Sequence, residues 1–273
     1  MSTKEIRVGK MNNIFQHIIV LKTNRTKRFE SKEIFVEGVR NINLALKYGW
    51  KVKNWIYANY NELSNWAKQT IEKNITSVNY SFSKDLISQI SSKTDTSELM
   101  AIFEMKFSKV EPVKNKTAPL FVLFDRPSKK GNLGSIIRSA DAFGVDGIIV
   151  TGHAVDIYDP EVIGASMGSY FTMPIEKIDT NNAVVEKIVN LKKDYPNLQV
   201  IATTELGTDD IRAIDYKLPT IIMIGNESMG LSKFLLDISD KSVQIPMVGE
   251  ASSFNAACAG SIFIYEAFMN RRS

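Results

Sequence analysis

The stretch IPMVGEASSFNAACAGSIFIYEAF, residues 245–268, decides how this chain is read. Ile245-Pro246-Met247 closes a strand, because Pro246 has no N–H with which to continue a ladder. Val248 to Ala251 is a turn. Ser252 or Ser253 is a suitable N-cap, and Asn255 to Met269 is Ala-rich and apolar at helical spacing. A strand, a short polar loop and a helix N-terminus make a place for a ligand, since free N–H groups and the positive end of the helix dipole point at it. Such turns are common in α/β proteins, so the meaning of this one depends on what lies upstream.

Composition narrows the class. The 273 residues, 44% hydrophobic and 23% charged, suit a folded chain of two domains. A net charge of +4 is compatible with nucleic acid without demanding it. The single Cys258 excludes an intrachain disulfide and fits a reducing compartment; between Ala257 and Ala259 it is expected to be a buried, inert thiol. With only His17 and His153 available, no spacing suggests a metal site. The apolar run from Ile14 to Leu21 is too short to cross a bilayer, and cytoplasm is the default location.

Residues 1–11 read as a loose tail, followed by a short helix or extended segment from Asn12 to Leu21. The cluster Lys22, Arg25, Lys27, Arg28 and Lys32 is either a solvated face or a phosphate contact. Strands are expected at Glu33–Val36, Val52–Ala58, Ile75–Val78 and Leu99–Phe107. Helices are expected at Gly38–Tyr48, Asn61–Glu72 and Lys84–Ser91. The Lys- and Pro-containing stretch after Phe107 has linker composition, which gives domains 1–107 and 119–273 joined by 108–118.

The second half alternates apolar strands (Leu120–Phe124, Gly147–Val150, Phe171–Pro174, Gln199–Thr203, Thr220–Ile224, Ser242–Ile245) with helices at Ser135–Phe143, Ala183–Lys193 and Leu231–Ile238. This pattern indicates an α/β fold with a mostly parallel sheet and helices on both faces, its ligands outside the carboxyl ends of the strands.

Two further loops therefore matter. Asp125 to Gly134 runs into a helix carrying Arg138; Asn132 and Arg138 border one cleft if Asn132 lies in the loop before that helix. The second loop, Ile224-Gly225-Asn226-Glu227-Ser228-Met229-Gly230, holds a carboxylate between glycines. Neither GxxxxGK[ST] nor GxGxxG is present, which removes nucleoside triphosphate and dinucleotide readings.

GNLGSIIRSADAFGVDGIIV (131–150), IGNESMGLS (224–232) and IPMVGEASSFNAACAGSIFIYEA (245–267) together resemble the three ordered motifs of the SpoU (TrmH-like) RNA ribose 2′-O-methyltransferases, of the SPOUT class. The N-terminal stretch IFVEGVRNINLALKYG (34–49) resembles, more loosely, the small ribosomal-protein-like RNA-binding domain that precedes the catalytic domain in many members. Lys130, Phe254 and Ala257 stand where members often have Pro, Leu and Ser.

The resemblance implies a deep C-terminal trefoil knot that binds S-adenosylmethionine, and a homodimer packed through the knotted domain. It implies cofactor contacts at Gly225, Ile245 and Phe254, with Thr203 and Thr204 as weaker candidates. The catalytic set it carries over is Asn132, Arg138, Glu227, Ser253 and Asn255, with no metal. Arg138 is easier to understand as a stabiliser of charge on the ribose 2′-oxygen than as a base, because a guanidinium stays protonated. Structured RNA is the implied partner, ribosomal RNA ahead of transfer RNA. Arg25, Lys27, Arg28, Lys129 and Lys130 are candidate phosphate contacts, with Arg126 adding charge beside them. The rival reading, a non-catalytic RNA-binding protein of the same fold, is opposed by the presence of Asn132, Arg138, Ser253 and Asn255.

Overall fold

The computed structural model describes residues 3–272, with Met1 and Ser2 outside the described residues, and within the expected tail it places strand β1 (Lys4–Val8). Three of its five side chains are exposed, so composition hides it; what fixes it is backbone pairing, parallel to β4 (Val78–Phe82). Asn12 caps α1 (Asn13–Thr23), its Oδ1 accepting from the N–H groups of Ile14 and Phe15 at 3.0 Å. Asn24 caps α2 (Arg25–Ser31) in the same way. Then follow β2 (Glu33–Glu37), α3 (Val39–Lys47), β3 (Val52–Tyr57), α4 (Asn65–Lys73), β4, α5 (Lys84–Ile90) and β5 (Leu99–Glu104).

These strands make a mixed five-stranded sheet in the order β1-β4-β3-β5-β2, with β5 antiparallel to both neighbours. Phe15, Ile18 and Leu21 of α1 pack with Phe35, Ile56, Phe82 and Met100 as the core of this first unit. Two expected elements shift. The helix expected from Asn61 breaks into a 3-10 turn at Tyr60–Glu62 and α4, because Ser64 provides a fresh cap. The strand expected at Ile75 starts only at Val78, and Ile75 itself is exposed.

The second unit contains β6 (Leu120–Asp125), α6 (Lys130–Ala142) and β7 (Gly147–Thr151). After α7 (Pro160–Ala165) come β8 (Ile175–Ile178), α8 (Asn181–Asp194), β9 (Gln199–Thr203), the two-residue β10 (Asp209–Asp210), β11 (Thr220–Ile224), α9 (Lys233–Asp237), β12 (Lys241–Gln244) and α10 (Ala256–Arg272). All seven strands are parallel, ordered β10-β12-β9-β11-β6-β7-β8. β6, β7 and β11 are buried along their full length, as parallel strands covered on both faces must be. Phe121, Leu123, Ile221 and Met223 meet Val184, Ile188 and Leu191 of α8 and Leu235 of α9 on one face. Against the other lie α6 and α10, so close that a Cβ on Gly260 would stand 2.4 Å from Ile136 Cδ1 and 2.5 Å from Ile224 Cδ1.

From β6 the chain proceeds to β7 and β8 on one side, whereas β9, β11 and β12 lie on the other. The direction reverses between β6 and β11. A doubly wound sheet opens its ligand crevice at such a switch, outside the carboxyl ends of the strands.

Two segments are placed by tertiary contacts that local sequence does not announce. Residues 108–118, of linker composition, lie in the second unit: Val110 is 1% exposed, its N–H donates to Glu176 Oε2 at 2.7 Å, and Val113 N–H donates to Tyr195 Oη at 2.8 Å. Tyr158–Thr172, between β7 and β8, belongs instead to the first unit. There Trp50 packs on Phe171 and Tyr170, with ring centroids 5.1 and 5.7 Å apart. Ser169–Phe171 is a 3-10 turn, so the strand expected at Phe171–Pro174 forms only from Ile175.

At the end of α10, Arg271 donates to four main-chain oxygens: Tyr216 and Ala118 at 2.7 Å, Leu218 at 3.0 Å and Pro119 at 3.1 Å. It fastens the last helix to the starts of β6 and β11. Arg271→Met keeps the aliphatic stem and strands those acceptors, and is expected to cost about 3 kcal/mol of stability. Denaturant unfolding measures this, and a loss below about 1 kcal/mol would contradict the fastening role.

Candidate active site

Three loops meet at the carboxyl ends of the central strands, and side chains bond them together. The loop after β11 is built on Asn226, whose Oδ1 accepts from the N–H groups of Ser228 (2.9 Å) and Met229 (3.0 Å). Asn226 and Gly230 close it with a reciprocal pair of main-chain hydrogen bonds at 3.0 Å. Gly225, at its base, is held so near the returning chain that a Cβ there would lie 2.4 Å from Gly230 C and Leu231 N.

Glu227 projects from this loop to the start of α6. Its Oε2 accepts from Ser128 N–H (2.9 Å) and Ser128 Oγ (2.7 Å), and its Oε1 from Lys129 N–H and Asn132 Nδ2, both at 3.0 Å. Lys129, at the N-cap position, makes no side-chain cap, so a carboxylate distant in sequence caps the helix instead. Asn132 thus lies within α6, not in the loop before it. Its Oδ1 accepts from Asn255 Nδ2 at 3.3 Å, and Asn255 Oδ1 in turn accepts from Ala257 N–H (2.9 Å) and Cys258 N–H (3.3 Å). The cap of α10 is therefore Asn255, not Ser252 or Ser253. A side-chain chain Glu227–Asn132–Asn255 ties all three loops.

Partial burial pulls the Glu227 carboxyl upward, but the Ser128 and Asn132 hydrogen bonds outweigh it and hold the group below its usual 4.5. A carboxyl depressed on folding adds stability above its unfolded value and loses it as pH falls through the folded one. In Glu227→Gln the amide nitrogen faces donors, so about 1–2 kcal/mol should be lost at pH 7. The gap between variant and wild type should narrow as pH falls below 4.5 and close only below the depressed folded value, where the wild type is itself neutral. Urea titrations across that range test this; a gap independent of pH would refute it.

Beside this network is a cleft of about 380 Å³ lined by Thr203, Thr204, Gly225, Glu227, Ile245, Ser253 and Phe254. Thr203 Oγ1 donates to Met223 O at 2.8 Å and Thr204 N–H to Val243 O at 3.0 Å, fixing the end of β9. Glu205, Met229, Met247 and Phe263 line it as well, though nothing in their local sequence marked them. The volume suits a nucleoside-sized ligand, and a lining of Gly225 and Ile245 with the apolar Leu231, Met247 and Phe263 fits S-adenosylmethionine.

Arg138 stands apart. It is exposed on α6 and is not among the residues lining the cleft. Arg25 and Lys27 are exposed on α2, and Lys129 is exposed at the head of α6. Lys130, the first residue of α6, is half-buried. Arg28 is a correction: at 1% exposure it donates to Leu21 O (2.7 Å) and pairs with Asp159 (3.3 Å), so it holds the first unit together and is withdrawn from phosphate contact. Cys258 also differs from expectation, being exposed on α10. Among the described residues no helix is long and apolar enough to cross a membrane, and no group of three or more His, Cys, Asp or Glu is placed to hold a metal.

Comparison with known proteins agrees with this layout. Residues 119–265 match the SpoU rRNA methylase family, and residues 12–101 match the SpoU L30e-like domain. A 23S rRNA (uridine(2479)-2′-O)-methyltransferase of Streptomyces viridochromogenes is 37% identical over 98% of this chain and 93% of its own. The crystal structure of a SpoU methyltransferase from the same organism, in complex with the cofactor AdoMet, superposes with a TM-score of 0.90. It is 38% identical over 96% of this chain and 99% of that one. An AdoMet-bound rRNA methyltransferase of Sinorhizobium meliloti gives a TM-score of 0.83 at 30% identity, over 96% and 97% of the two chains.

Proposed function

Because the chain belongs to the SpoU rRNA methylase family, we propose that it methylates the ribose 2′-hydroxyl of a uridine in 23S ribosomal RNA, with S-adenosylmethionine as donor. The observation that carries this reading is the Glu227–Asn132–Asn255 chain, which joins the three motif loops beside a nucleoside-sized cleft. When bound, the cofactor supplies an electrophilic methyl group on a positively charged sulfur. Thr203, Thr204, Gly225, Ile245 and Phe254 hold it, largely through main chain. Transfer of that methyl to the ribose oxygen would pass the hydroxyl proton to water and leave the donor as a neutral thioether. Ser253 and Asn255 orient the nucleotide, and Asn132 and Glu227 keep those loops in register. Arg138 contributes permanent positive charge toward the oxygen as it becomes an alkoxide.

In the same reading the first unit grips RNA through Arg25 and Lys27, and Lys129 and Lys130 bind phosphate near the reaction. The tail is threaded as a trefoil knot. Two copies pair in the cytoplasm through α10, whose Ile262, Tyr265 and Met269 are exposed at i, i+3 and i+7 spacing.

The test is transfer of labelled methyl from S-adenosylmethionine to separated 23S rRNA, 16S rRNA and tRNA, with the modified ribose mapped by blocked alkaline cleavage. A single protected uridine in 23S rRNA is expected. Labelled tRNA with unlabelled rRNA would overturn the substrate, and no transfer to any RNA would overturn the activity.

A further inference from the structure

Arg126 is the residue after the last position of β6, and its sequence context makes it look like one more cation for RNA. Its surroundings give it a different task. It is one of four described non-glycine residues with positive φ, at 49°, a conformation that persists only where neighbours enforce it. The enforcing contacts come from several directions. Its N–H donates to Thr151 O at 3.1 Å, and its Cγ packs over Gly152, 2.7 Å from where a Cβ there would stand.

The turned backbone directs both ends of Arg126 at the loop after β11. Its main-chain oxygen accepts from Asn226 Nδ2 at 2.7 Å, and its Nη2 donates to Gly230 O at 3.1 Å. Asn226 and Gly230 are the two residues that close that loop on itself. The guanidinium is steadied in turn by Asp125, a buried carboxylate 3% exposed: Nε and Nη2 reach its Oδ2 at 3.0 and 2.9 Å. The same oxygen accepts from Ser232 N–H at 2.9 Å, just beyond the loop, while Oδ1 accepts from Thr151 Oγ1 at 2.9 Å. The pair Asp125–Arg126 therefore grips the loop at Asn226, Gly230 and Ser232.

We infer that Arg126 is a positioning residue for methyl transfer, holding the loop that walls the donor cleft closed and so setting affinity for the donor, not for RNA. The inference rests on S-adenosylmethionine occupying that cleft. A lysine would keep the charge but cannot supply the two-pronged Nε and Nη2 contact, so it is not a conservative replacement.

The test compares wild type, Arg126→Lys and Arg126→Gly, the last keeping the positive φ and the main-chain acceptor. Calorimetry with S-adenosylmethionine and S-adenosylhomocysteine should show binding weakened about tenfold or more in both variants, equivalent to about 1.4 kcal/mol. KM for the donor should rise while KM for RNA holds. Hydrogen exchange at Ser228, Met229 and Gly230 should quicken. The salt dependence of RNA binding should keep its wild-type slope, whereas a lost phosphate contact would lower it by about one. Donor affinities within twofold of wild type would overturn the inference, as would a lowered RNA salt slope. Global unfolding of both variants would also count against it, since the grip would then be general and not local to the loop. Failure of the wild-type chain to bind either compound would defeat the proposed function itself, a separate result.

Discussion

Arg138→Ala is expected to lower kcat for methyl transfer by about 10²–10³ while leaving affinity for S-adenosylmethionine within about twofold. Arg138 is exposed on α6 and outside the cleft lining, so its removal should disturb neither folding nor the donor. On the proposed reading, it removes positive charge that stabilises the oxygen as it becomes an alkoxide, an interaction stronger in the transition state than in the ground state. Arg138→Lys tests the distinction between charge and shape: partial recovery would point to the charge alone, none to the planar donor fork. The measurements are single-turnover transfer of labelled methyl and calorimetry with the donor. A variant with wild-type kcat would remove Arg138 from the chemistry.

Gly225→Ala should have the next largest effect, on the opposite partner of the reaction. Its added methyl would sit 2.4 Å from Gly230 C and Leu231 N and 2.8 Å from Gly230 Cα. These are main-chain atoms, which cannot rotate aside as the tip of a flexible side chain can. The loop must move outward, and it forms the wall of the cleft. A penalty of about 2–3 kcal/mol expressed there weakens donor binding about 30- to 150-fold, with the rest of the sheet intact. Gly230→Ala is an informative control. A Cβ at Gly230 meets nothing within 4 Å, and only its φ of 64° is strained, so a smaller loss is expected. Donor affinity in Gly225→Ala within about threefold of wild type would refute the close-approach account.

Much of the second unit was legible because a doubly covered parallel strand must be apolar throughout. LFVLFD, GIIVT and TIIMI state this in their own letters, and each is wholly buried. The candidate residues could be named for a related reason. Asn132, Glu227, Ser253 and Asn255 are polar groups in short loops between such strands, in an order that resembles a known family. Their hydrogen bonds to one another could not be read, because each joins residues about a hundred positions apart in sequence.

The misplaced elements share one cause. KEIRV looks like a tail because β1 is held by its backbone against β4, and most of its side chains face water. Lys130 and Gly131 look unlike a helix start because the cap comes from Glu227. Ser252, Ser253 and Asn255 offer similar capping chemistry, and the choice of Asn255 goes with its contact to Asn132. Arg28 looks like a surface cation until Asp159, 131 positions later, is brought beside it.

By itself, then, the sequence determined the α/β class and the parallel sheet, which follow from local hydrophobic pattern, and pointed to the family and the polar loop residues through the resemblance of its three ordered motifs. Tertiary structure alone decided which helix ends are capped by distant side chains, which cations are buried, that Tyr158–Thr172 packs with the first unit, and that Arg126 is aimed at a loop and not at solvent. Those outcomes depend on distances between residues far apart along the chain, and no local window of sequence contains them.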